Sequence, residues 1–100
     1  MKNVKSSRLV EELVAAATNL GGLQYRLRSI EEIIKGIDAR ADDVTRSFTD
    51  REFVRDSLTL LRQSRSVSIK HARLVKQRIA RARSQIAATT AKLERLFGRP

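Results

Sequence analysis

Cysteine and tryptophan are absent from this 100-residue chain, which also holds only one proline, four glycines and four aromatic side chains. Without cysteine there is no disulfide framework, no thiolate metal site and no cysteine nucleophile, and the redox compartment cannot be read from thiols. The longest unbroken apolar run, Leu13 to Ala17, is far below the roughly 20 residues that span a bilayer. The basic opening through Arg8 resembles the start of a signal peptide, but Glu11 and Glu12 interrupt the apolar stretch behind it, so no cleavage is expected. Cytoplasmic residence is the default expectation. Acidic side chains are also missing from one long window: Ser57 to Leu93 contains no carboxylate.

What is present is a seven-residue apolar repeat. Leu9, Leu13, Ala16, Leu20, Leu23, Leu27, Ile30, Ile34, Ile37, Ala41, Val44 and Phe48 alternate steps of four and three, every one apolar in a chain that is 41% apolar. A strict heptad repeat of this length describes a coiled-coil seam, not the wider stripe of a globular helix. A second frame runs Val54, Leu58, Leu61, Arg65, Ser68, Ala72, Val75, Ile79, Ala82, Ile86, Thr89, Leu93 and Leu96. Between the frames, Thr49 followed by Glu52 has the spacing of a capping box, and Phe48 with Phe53 that of a hydrophobic staple.

These signals predict an all-α chain of one domain spanning residues 1–100. It is expected to form an antiparallel helical hairpin, with helix one over about 6–47, a corner at 48–49 and helix two over about 50–97. The adjacent Gly21 and Gly22 each cost about 1 kcal/mol within a helix, so a three-helix bundle broken near them is the alternative. Because Leu20, Leu23 and Leu27 keep phase across the glycines, a continuous helix is favoured. Folding about the corner should set Arg65 opposite Glu31 and Glu32, a polar pair that costs stability but fixes register.

A lone two-helix contact buries little apolar surface against the cost of ordering the chain. A second column supports a need for a partner: Phe53, Leu60, Val67 and Leu74 recur every seven residues, with Ile33 off the seam of helix one. These five residues are the expected oligomer face. Self-association of two hairpins into a four-helix bundle is its simplest use.

Charge is divided unevenly along the chain. Residues 1–48 hold eight basic and seven acidic side chains, whereas 49–100 hold thirteen and four, toward a net charge of +10. Arg62, Lys70, Arg73, Lys76, Arg78, Arg81 and Arg83 are the expected polyanion-binding or partner-binding positions. Solubility is ordinarily obtained by mixing both signs, so this one-sided run points to an acidic partner. An acidic protein suits it, as does nucleic acid held through its phosphates. A membrane surface is disfavoured, because the apolar side of the helix is committed to the seam and interfacial Trp is lacking.

No catalytic machinery is expected. His71 is the single histidine, and the pairs Glu11-Glu12, Glu31-Glu32 and Asp42-Asp43 diverge by about 100° on a helix instead of converging. Neither a phosphate-cradling glycine loop nor a nucleophile–base pair nor a metal-ligand cluster is evident. The expectation is therefore a non-enzymatic protein without metal, cofactor or small-molecule substrate. Its role would be that of an adaptor, chaperone or assembly component showing a basic helix to an acidic partner, the alternative being a sequence-tolerant nucleic-acid binder. In outline the chain is similar to the small secreted hairpin proteins named for a W-x-G turn. It has no Trp, reads Ser47-Phe48-Thr49 at the corner and is basic, so the likeness stops at size and shape.

Overall fold

A computed structural model of the chain describes residues 2–98. It contains two helices, α1 (Lys2–Ser47) and α2 (Arg51–Leu96), packed against each other as a hairpin. α1 is continuous through Gly21 and Gly22, and α2 through the run Ser64 to Ser68, so the three-helix alternative is not the fold. A Cβ at Gly21 or Gly22 would meet nothing within 4 Å. The seam on the opposite side of the helix outweighs the weak helix propensity at these two positions.

The helix pair divides into two compact units, each built from a stretch of both helices. One joins Met1–Tyr25 to Lys76–Pro100, and the other is Arg26–Val75, which contains the corner. In the first, Leu9, Ala16 and Leu23 of α1 and Ile79, Ala82 and Thr89 of α2 are buried. In the second, Ile30 and Val44 of α1 and Ala72 and Val75 of α2 are buried, with Val75 fully enclosed. Among the described residues no buried side-chain polar atom lacks a hydrogen-bond partner.

Burial along α1 alternates within the seam. The series Leu9, Ala16, Leu23, Ile30 and Val44 is buried, while the interleaved Leu13, Leu20, Leu27, Ile34 and Ala41 are half-buried. One partner helix covers one of the two seam columns except at Ile37, which is half-buried, and reaches the other only in part. The seam runs out at its ends, where Phe48 and Leu96 are exposed.

The corner differs from expectation in its cap. Asp50, not Thr49, is the N-cap of α2: its Oδ1 accepts from the backbone N–H of Glu52 at 3.0 Å and of Phe53 at 3.2 Å. Its carbonyl accepts the first helical bond, from the Val54 N–H at 3.0 Å. An Asp carboxylate is a stronger acceptor than a Thr hydroxyl and adds a full negative charge at the helix's positive end. The cap therefore shifts by one residue, and the box spacing of Thr49 to Glu52 goes unused. The Phe48 and Phe53 rings still meet, with centroids 4.9 Å apart and a 52° tilt. At the far end Gly98 takes a left-handed conformation (φ 62) and donates to the Arg95 carbonyl at 3.3 Å, a glycine stop of the common kind.

Replacing Asp50 with Ala should remove about 1 kcal/mol of stability, whereas Thr49→Ala should change it by no more than a few tenths. Urea denaturation of both variants checks this, and the opposite order would restore Thr49 as the cap.

Candidate functional site

Two kinds of surface stand out, and each is set by the heptad phase of α2. The first is apolar and lies within the unit Arg26–Val75. Phe53, Leu60, Val67 and Leu74 are exposed by 47%, 65%, 67% and 53%, and Ile33 of α1 by 54%. Each member of the column precedes a seam residue by one position, so α2 turns the seam toward α1 and leaves the column outside. Single exposed apolar residues are ordinary; here four large ones recur on one line of α2, one every two turns. Beside Phe53 and Leu60 runs a groove of about 340 Å³, bounded by Arg40, Asp43, Val44, Phe48, Ser57 and Leu61.

The second surface is cationic. In the corner-bearing unit, Arg62, Lys70 and Arg73 are exposed. Arg65, half-exposed at its side chain, places Nε 2.8 Å from Asp38 Oδ1. The partner is therefore Asp38 and not Glu31 or Glu32; Glu32 instead lies 3.6 Å from Lys35 of its own helix. The three-residue corner, Phe48 to Asp50, moves the mirror point of the hairpin toward the C-terminus, and the reach of the Arg side chain covers the remaining offset.

In the unit joining Met1–Tyr25 to Lys76–Pro100, Lys76, Arg78, Arg81, Arg83 and Lys92 are exposed. Lys92 joins Lys5, Arg8 and Arg95 around a cleft of about 500 Å³, with Leu9 and Leu96 along it and Glu12 as its carboxylate. The one-dimensional charge pattern does not single out Lys5, Arg8 or Arg95, because Arg95 falls just outside the acid-free window and Lys5 and Arg8 lie on the other helix. Antiparallel pairing brings them together. This unit has ten Lys and Arg against three Asp and Glu, whereas the corner-bearing unit has eleven against eight.

None of the seven expected polyanion positions forms an ion pair among the described residues. His71 and the adjacent acidic pairs are exposed, and among the described residues no cluster of three metal-ligating side chains occurs. No described helix is long and apolar enough to cross a membrane. No known family pattern, curated protein or solved structure matches this chain. The chemistry of these surfaces therefore has to be read from their own residues.

The Arg65–Asp38 pair is half-exposed on both sides, which places it in the range of about 0–1 kcal/mol for solvent-screened pairs. A double-mutant cycle of Arg65→Met and Asp38→Asn should return a coupling energy below about 1 kcal/mol. A coupling of several kcal/mol would mean that the pair is shielded from water in solution.

Proposed function

We propose that this chain is a non-enzymatic coiled-coil interaction protein of the cytosol, an adaptor, chaperone or assembly component, whose second helix presents positive charge to an acidic partner. The observation that carries this reading is the uncompensated charge of α2. Nine cations lie between Ser57 and Leu93 with no carboxylate among them, and among the described residues α1 supplies one cross-helix counter-charge to them, Asp38 to Arg65. Like charges held this close on one helix repel one another. An anionic partner relieves that repulsion on binding, and the association is then faster at low salt.

Nucleic acid is the second reading, favoured by the placement of the cations on both sides of the seam. Arg62, Lys70, Arg73, Lys76 and Arg83 flank one side and Arg78, Arg81 and Lys92 the other, a distribution that tracks phosphates without reading bases. Single strands fit less well, because Tyr25 is the sole aromatic away from the corner and the C-terminal end that could serve as a stacking platform.

Titration against polyglutamate and against duplex DNA, from low salt to about 0.15 M, separates the two. The acidic-protein reading expects polyglutamate binding to persist at the higher salt and DNA binding to vanish. The nucleic-acid reading expects DNA affinity to fall log-linearly with salt, with a slope reduced by about 1 for each phosphate-contacting cation removed. In either case the triple variant Arg73→Glu, Lys76→Glu, Arg83→Glu should weaken binding by well over about tenfold. If it binds both polymers as the parent does, the basic face serves solubility alone.

A further inference from the structure

We propose that the exposed column of α2 is the contact between two copies of this chain, crossing antiparallel about a two-fold axis at Gln63 and Ser64. Phe53 then meets the partner's Leu74, and Leu60 meets the partner's Val67.

The column carries its own two-fold symmetry. In an antiparallel pair of helices, residues whose numbers share a common sum face each other, and Phe53 with Leu74 has the same sum as Leu60 with Val67. The four side chains cover about 32 Å of helix at 1.5 Å per residue. All four are large, apolar and 47% to 67% exposed, so a second column laid across them buries every member against another member.

The charges beside the column select a second copy of this chain and set its direction. On one side of the column lie Asp56, Gln63 and Lys70, and beyond them Glu52 and Arg73. An antiparallel crossing at Gln63 sets Asp56 against the partner's Lys70 and Glu52 near the partner's Arg73, with each opposite-charge pair occurring twice. A parallel crossing would set Asp56 on Asp56 and Lys70 on Lys70, and like charges facing each other disfavour it. The other side of the column is small and polar, Ser57 and Ser64 with His71, and admits close approach.

Within one chain these groups are available for such an exchange. Lys70 and Arg73 are exposed, and Asp56 has only an open contact of 3.7 Å with its neighbour Arg55, at side-chain exposures of 68% and 73%. The whole interface also falls within Arg26–Val75, the unit with the smaller excess of cations, eleven Lys and Arg against eight Asp and Glu. Self-association there avoids the repulsion that the more cationic unit would impose on its own copy.

The natural absence of cysteine makes single-cysteine cross-linking a direct test. Gln63→Cys, at the axis, should oxidise to a covalent dimer. Asp56→Cys and Lys70→Cys should each cross-link poorly alone and efficiently when mixed. Arg62→Cys, on another side of the helix, should remain monomeric on denaturing gels. Sedimentation equilibrium at micromolar concentration should give a dimer mass for the parent chain. The double variant Leu60→Glu, Val67→Glu should raise the dissociation constant at least about 100-fold, with unchanged helical circular dichroism because both positions are exposed. A monomer mass for the parent, a dimer insensitive to the double variant, or cross-linking at Arg62→Cys equal to that at Gln63→Cys would each overturn the proposal.

Discussion

Burial along the heptad seam between α1 and α2 is the constraint from which the other features of this chain follow. Leu9, Ala16, Leu23, Ile30 and Val44 on α1, and Ala72, Val75, Ile79, Ala82 and Thr89 on α2, are the residues most removed from water. Once those faces are committed to each other, heptad phase decides what every other position can do. The residue before each of four seam positions in α2 becomes an outward apolar column, and the acid-free stretch becomes a cationic surface. The glycines at 21 and 22 are tolerated because they fall outside the seam, where the backbone need only remain helical.

The seam is also incomplete, and that shapes the reading of function. Every second seam residue of α1 from Leu13 to Ala41 is only half-buried, as expected when a coiled-coil stripe has one neighbour instead of two or three. The apolar column lies in the unit with eleven basic and eight acidic side chains, while the larger excess of cations lies in the unit formed by the two chain ends. The proposed contact with a like molecule and the proposed contact with an anion share Lys70 and Arg73, while Lys76, Arg78, Arg81 and Arg83 lie outside the first.

Much of the fold was legible because the heptad signal is redundant: a dozen apolar positions in α1 agree, so two glycines could not outvote them. The corner was legible in place but not in detail. Thr49 and Asp50 are both good caps, and the Glu52 and Phe48–Phe53 spacings favoured Thr49, yet the carboxylate of Asp50 accepts two backbone donors and prevails. The partner of Arg65 was misplaced because the added corner residue shifts the facing positions by only about one, and the long Arg side chain spans most of the six residues from Glu32 to Asp38. The exposed column was visible as a second heptad phase. The grouping of Lys5, Arg8, Lys92 and Arg95 was not, because it depends on which residues the hairpin sets side by side and the linear charge count carries no such information.

The central claim, that the two helices fold back on each other along this seam, is tested most directly by a distance within the unit that joins the two chain ends. Arg8 and Arg95 line the same cleft. Spin labels at these positions, in protein diluted with unlabelled chain, should report a separation within about 20 Å, given an interaxial distance of about 10 Å. A continuous helix would instead separate them by about 130 Å at 1.5 Å per residue, and any population-wide distance far above the shorter value would contradict the account.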